Sequence, residues 1–359
     1  MTPLRDRLEA HARGLGFTLF GVAPAADADG FDRYAAWLDA GYAGEMGYLH
    51  DYREHRRHPS RVLGPVKTVV MLGFEYGPPS PQSHVGKVAA YAQHADYHRV
   101  VWDKLNALRD WLAAEVPGTR SHGTCDSAPL LERDFARRAG LGWVGKNTML
   151  LNASRGSLFF LAGFLTSLEL PPDPPQASGH CGTCTACLDA CPTDAFPTPG
   201  VLDATKCVSY LTIELRGPIP LELREAVGDR LFGCDDCQTA CPWNRFASAN
   251  PGFPPRPDLL ALDPAELLTL TREEFAHRFA GTPLLRARRS GLLRNACVVL
   301  GNTAGPEALP ALAAACGDAD GVVAEAARWA VGRIEARRGG LGEPEASAPG
   351  VLRPKNSGR

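Results

Sequence analysis

Residues 181–192 read CGTCTACLDACP, and residues 233–244 read GCDDCQTACPWN. Zinc commonly takes four ligands as two CxxC pairs separated by a longer loop. The run C-x2-C-x2-C-x3-C-P instead places three thiolates on one tight loop and sends the fourth elsewhere, the spacing of bacterial two-cluster ferredoxins. Cys181, Cys184 and Cys187 are therefore expected on a first [4Fe–4S] cluster, and Cys191 on a second. In the shorter run, Cys241 precedes Pro242 as Cys191 precedes Pro192, so Cys241 is expected to cross back and complete the first cluster. Cys234 and Cys237 then join Cys191. That set still lacks one thiolate, and Cys207 is the nearest unused cysteine. Cys125, Cys297 and Cys316 stand apart and read as small buried hydrophobes.

A two-cluster module moves single electrons, and the chemistry should lie in the chain before it. No G-x-G-x-x-G fingerprint is present, because GLGWVGKN follows a helix, and there is neither a P-loop nor an H-E-x-x-H. The densest polar stretch is 125–152, CDSAPLLERDFARRAGLGWVGKNTMLLN. Asp126 or Ser127 can cap a helix with Pro129 in its first turn. Alternatively, Asp126 is a carboxylic acid in a cavity, desolvated so that it donates a proton near neutral pH. Lys146 and Asn147 either touch a ligand or face solvent at a turn. Tyr97, His98 and Arg56 are further polar candidates.

These residues need elements to hold them. Leu4, Leu8 and Ala12 mark a helix ending near Gly14 or Gly16, and Val101, Leu105, Leu108 and Leu112 mark another. FTLFGVA, TVVMLGFEY and GSLFFLAGFL read as strands, and APLLERDFARRAG as a helix closing at Gly140. Residues 1–172 thus make an α/β or α+β domain whose strand order periodicity does not fix. PPDPPQASGH is a proline-rich linker into a cysteine region at 173–250. From 260 to 339 the chain is helical, and NACVVLGN (295–302) aligns with AARWAVGR (326–333) at an offset of 31 residues. Two such repeats are too few for a free-standing solenoid, so the block should dock on the main body. Residues 340–359 read as a disordered tail.

With 359 residues, 22% of them charged, and a net charge of −2, no global basic field advertises nucleic acid, although a local patch remains possible. The N-terminus has no apolar signal core, and the run 156–172 is too polar to span a bilayer. A soluble, cytoplasmic chain is expected, where eleven cysteines would not form structural disulfides.

DSAPLLERDFARRAGLGWVGKN, the ferredoxin-like run, CVSYLTIELRGPIP and GCDDCQTACPWN together resemble the tRNA epoxyqueuosine reductase family, from the N-terminal helix to about residue 338. The resemblance implies an α+β fold: a nitroreductase-like cobalamin-binding domain, a ferredoxin-like domain with two [4Fe–4S] clusters, and C-terminal HEAT-like helical repeats that assist tRNA binding. It implies reduction of epoxyqueuosine to queuosine at the tRNA wobble position with base-off cobalamin. Asp126 matches the family's proton donor, which overrides the capping alternative. Arg56, Tyr97, Asp126, Leu150, Leu161, Ser209 and Asp235 fall in segments similar to its corrin-contacting parts. Cys125 departs from the family pattern, which commonly has an aliphatic residue there.

Eight arginines between 286 and 338 face five acids. Beside a substrate carried on tRNA they are read as phosphate contacts, with Arg288, Arg289 and Arg294 foremost. An external low-potential electron donor and a monomeric chain complete the expectation. The rivals are a pure electron-transfer protein, which predicts no corrin, and a reductive dehalogenase, usually exported behind a twin-arginine signal that this chain lacks.

Overall fold

The computed structural model describes residues 2–82 and 85–338, so the tail at 340–359 lies outside the described residues. Four antiparallel strands, β1 (Leu19–Pro24), β2 (Thr68–Glu75), β3 (Ser121–Thr124) and β4 (Phe159–Thr166), form a sheet in the order β1-β2-β4-β3. Every residue of β2 is buried because both faces of the sheet are covered. Val70, Leu72 and Phe74 meet Leu8, Ala12, Leu105 and Leu108 from helices α1 (Leu4–Gly14) and α2 (Tyr97–Glu115). Val69 and Met71 meet Phe31, Phe135 and Ala136 on the opposite face. The sequence reading found β1, β2, β4 and both helices but not the short strand β3, since a strand buried on both faces is apolar throughout whereas Ser121–Thr124 is not.

The helix expected over APLLERDFARRAG is shorter. Helix α3 spans Glu132–Arg138, with Leu131 before it and no side-chain cap. Asp126 and Ser127 therefore cap nothing. They sit on a loop between β3 and α3, and Asp126 adopts φ +61°, a left-handed conformation that Asp tolerates better than most residues.

The cysteine region follows the linker. Its short helices Ala186–Asp189 and Asp236–Thr239 pack on each other. Arg230–Phe232 pairs in parallel with Lys87–Val88, joining this region to the sheet-bearing part. Beyond it, α4 (Arg288–Thr303), α5 (Leu309–Ala315) and α6 (Gly321–Arg338) hold the sequence repeat. Gly301 permits the close crossing of α4 and α6, since a Cβ there would lie 2.6 Å from Trp329. The block does dock: Val208, Leu211 and Phe232 share one apolar cluster with Leu292, Val299, Ala326 and Ala330. Of the isolated cysteines, Cys125 and Cys297 are buried as expected, whereas Cys316 is only partly so.

Candidate functional site

Cys181, Cys184, Cys187 and Cys241 line one cavity of about 250 Å³, together with Lys146, Asn147, His180, Trp243 and Arg245. Cys241 arrives from fifty-four residues beyond Cys187 because the two short helices pack against each other. Its thiol is pushed up by burial, opposed by the backbone N–H groups of Trp243 and Asn244, and raised again by Cys181 and Cys184. A second set surrounds Cys237, whose thiol burial raises first, followed by the proximity of Cys234, Cys207 and Cys191. Cys191 accepts the Ala195 N–H at 3.3 Å. Cys207 stands at the start of the helix Val208–Ile213 and receives the N–H groups of Tyr210 and Ser209. Such donors suit thiolates better than thiols.

Among the described residues, no three His, Cys, Asp or Glu side chains could hold a single metal ion. Four thiols lining one cavity suit a cluster, which keeps its sulfur ligands further apart than one zinc ion does.

Lys146 and Asn147 reach across to the cysteine loops. Lys146 Nζ donates to the carbonyls of Gly182 (2.8 Å) and Cys184 (2.9 Å), and Asn147 Nδ2 donates to the carbonyl of Cys237 (3.1 Å). One turn of the sheet-bearing part thus grips the loops of both cysteine sets. Gln238 and Asn244 add a second grip through Ser157.

The other polar group surrounds Asp126. The Tyr97 hydroxyl donates to Asp126 Oδ2 at 2.6 Å, and His98 Nε2 lies 3.7 Å from the same oxygen. Tyr97 is itself buried, stacked on Phe160 with ring centroids 4.1 Å apart. Burial raises its phenol strongly, the Asp126 charge adds to this, and the Arg286 guanidinium opposes it. Arg286 donates to Tyr97 Oη at 3.1 Å and lies 4.8 Å over its ring.

The expected desolvated aspartate is not found, because the Asp126 side chain is 62% exposed. The desolvated acid is Glu132. Burial pushes its carboxyl up to about 8, with the Asp126 charge second, while it accepts the Asp126 backbone N–H at 2.9 Å.

Groups distant in sequence gather near Asp126. The Tyr48 hydroxyl, pushed up to about 12 by burial, senses Glu214, Asp126 and Arg56. The Tyr91 hydroxyl, raised by burial, senses Arg286, Asp126, Asp235 and Glu214. Tyrosines and a few charges thus gather around an exposed acid.

Of the residues expected around it, Arg56 is buried, its guanidinium 5.7 Å over the Tyr34 ring. Asp235 accepts the Ala90 N–H at 2.7 Å, and burial raises its carboxyl to about 6. Ser209 is half-buried and sends its backbone N–H to Cys207. Leu161 is half-buried, and its carbonyl accepts from Cys125 Sγ at 3.5 Å. Leu150 departs from expectation: its side chain packs in the apolar cluster with Leu130 and Phe159, leaving only its main chain for a ligand.

The basic block is also corrected in part. Arg294 is buried and donates to the carbonyls of Leu211, Leu215 and Gly217. Arg289 is bound to Asp318 at 2.7 Å and to the Leu270 carbonyl. Neither guanidinium is presented to a phosphate, whereas Arg288 is exposed. Glu132 and Arg286 were missed as site residues. An acid in a helix's first turn and an arginine in a basic run carry no local mark of a remote partner.

Comparison with known proteins follows this geometry closely. Residues 180–244 match the family described as "4Fe-4S double cluster binding domain", and residues 56–127 match "Epoxyqueuosine reductase QueG, DUF1730". The chain is 41% identical over 342 residues to an epoxyqueuosine reductase of Pseudomonas aeruginosa, covering 92% of this chain and 94% of that protein. It is similar to a crystal structure of epoxyqueuosine reductase with an epoxyqueuosine-modified tRNA-Tyr stem loop, at TM-score 0.86 and 32% identity over 92% of this chain and 90% of that one. It is also similar to the Bacillus subtilis enzyme with its catalytic aspartate loop swung out of the active site, at TM-score 0.85 and 31% identity, with the same coverage.

Proposed function

This chain belongs to the epoxyqueuosine reductase family, and on that premise we propose that it reduces epoxyqueuosine to queuosine at the wobble position of tRNA. The epoxide takes up two electrons and two protons and leaves an alkene and water. Cobalamin, when bound, would supply the low-potential reducing centre, and two [4Fe–4S] clusters would supply electrons. Cys181, Cys184, Cys187 and Cys241 would hold one cluster, and Cys191, Cys207, Cys234 and Cys237 the other. Asp126 gives a proton to the departing oxygen, and Tyr97 orients it. Arg56, Tyr97, Leu161, Ser209, Asp235 and the main chain at Leu150 line the corrin site.

The finer architecture belongs to the same proposal. Residues 1–172 form a nitroreductase-like domain, 173–250 a ferredoxin-like one, and 260–339 HEAT-like repeats. Arg288 contacts the tRNA backbone. The chain works as a monomer in the cytoplasm with an external low-potential donor. Among the described residues, no helix is long and apolar enough to cross a membrane.

One observation carries this reading: the 2.6 Å Tyr97–Asp126 hydrogen bond beside Tyr91, whose hydroxyl senses both Asp126 and Asp235, next in sequence to Cys234. The test is anaerobic purification, cobalamin loading and chemical reduction, followed by mass spectrometry of an epoxyqueuosine stem loop. A corrin spectrum over the cluster bands with conversion to queuosine is expected. Cluster bands alone, without conversion, would reduce the chain to an electron carrier.

A further inference from the structure

The Tyr97 hydrogen bond to the Asp126 side chain falls on Oδ2, and a residue of the C-terminal region decides its direction. A tyrosine hydroxyl has one hydrogen to give and lone pairs to receive, whereas a guanidinium only gives. Arg286 Nη1 donates to Tyr97 Oη at 3.1 Å, so the hydroxyl accepts there and passes its own hydrogen to Asp126 Oδ2 at 2.6 Å. His98 Nδ1 lies between Arg286 Nη2 at 2.5 Å and Asp96 Oδ1 at 3.1 Å, and its Nε2 lies 3.7 Å from Asp126 Oδ2, beyond hydrogen-bond reach. Asp96, the N-cap of α2, is also within reach of Arg286 at 3.4 Å and accepts the His98 backbone N–H. Tyr97 thus turns its hydrogen toward Oδ2, and a proton placed between them would meet it head on.

We infer that Arg286 is a positioning residue for the proton donor: by fixing Tyr97 as a donor to Oδ2, it leaves Oδ1 of Asp126 as the oxygen that carries and delivers the proton. The inference rests on the reading of Asp126 as that donor. Arg286 belongs to the segment Pro283–Ala287, directly before the repeat helices, so the C-terminal block completes the site it accompanies.

The test compares Arg286→Gln, Tyr97→Phe and the double variant in single turnover, using reduced, cobalamin-loaded protein and an epoxyqueuosine stem loop. Stem-loop affinity is measured separately by anisotropy over a range of salt. Misplacing a catalytic group slightly can cost ~10²-fold, so each single variant should lose about 10- to 100-fold in rate with unchanged affinity. If Arg286 acts through Tyr97, the double variant should be no slower than the slower single one. Multiplying losses, an unchanged rate in Arg286→Gln, or weaker binding with a flatter salt slope would each overturn the inference. Should Arg286→Gln not fold, Arg286→Lys replaces it: the lysine keeps one donor for Tyr97 and should lose less rate than Tyr97→Phe, and an equal or larger loss overturns the inference. Asp126→Asn runs alongside. If that variant turns over normally, the reading of the site itself has failed, whatever Arg286 does.

Discussion

Glu132 accepts the backbone N–H of Asp126 at 2.9 Å and so closes the loop between β3 and α3 on itself. The bond holds Asp126 in its left-handed conformation. Glu132→Ala should release the loop and lower the single-turnover rate about tenfold, in keeping with a misplaced catalytic group. Glu132→Gln keeps an acceptor and should stay near wild type. The two variants separate a latch from an ionisable role.

The same side chain makes stability depend on pH. Its carboxyl is held up to about 8 in the folded chain, against ~4.3 for an ordinary glutamate. The folded state binds that proton more tightly, so the contribution is complete below ~4.3 and is lost as pH rises through 8. Glu132→Gln cannot ionise. Its melting temperature should therefore gain on the wild type between pH 5 and 9, by about 2–4 °C for each kcal/mol involved. Parallel melting curves across that range would show that Glu132 does not titrate there.

Asp126→Asn should bind both clusters and cobalamin and still fail in the chemical step, by ~10²–10⁴-fold, the usual share of a general acid. Asn accepts a left-handed backbone, so the loop should keep its shape. Since α3 begins only at Glu132, a capping role no longer offers another explanation for lost activity. Single turnover with reduced protein and an epoxyqueuosine stem loop decides the matter, and wild-type conversion by the Asn variant would remove Asp126 from proton delivery.

Iron analysis should give eight atoms per chain, four to each of the two clusters. Cys241→Ala should lose the cluster held by Cys181, Cys184 and Cys187, and Cys207→Ala the other one. Electron paramagnetic resonance of the reduced variants distinguishes the two losses. Identical spectra from both would contradict the crossing of Cys241.

Arg294→Met should destabilise the fold by about 3–5 kcal/mol, as expected when buried polar groups lose their charged partner. It should leave the salt dependence of RNA binding unchanged. Burial already lowers this guanidinium to about 10, and main-chain carbonyls rather than acids hold it. Arg288→Gln should do the reverse, sparing stability and reducing the salt slope by ~1. Denaturation and anisotropy titrations measured on both variants test the pair.

Much of this was legible in the chain because the signals are local. The cysteine spacings declare their chemistry within a dozen residues, and Val69–Phe74 declares a two-faced strand by being wholly apolar. Arg286 and Arg294 were not legible. Arg286 meets Tyr97 across 189 residues, and Arg294 meets the Leu211 carbonyl across 83. A carbonyl belongs to every residue, so no pattern of side chains can advertise it as a partner. Asp126 was singled out through resemblance, since its own surroundings suggested a helix cap equally well.

The interleaving of the two cysteine sets bears on how the chain is made. One set waits for Cys237 and the other for Cys241, although each begins before residue 192. A ribosome therefore delivers Cys181, Cys184, Cys187 and Cys191 long before either ring can close. Neither inorganic centre can be fully seated until the segment ending at Cys241 has emerged, and both become ready within four residues of synthesis. Cofactor loading is thereby tied to near-completion of the polypeptide, and a chain stalled before residue 234 would carry exposed thiols that a premature iron supply could only half satisfy.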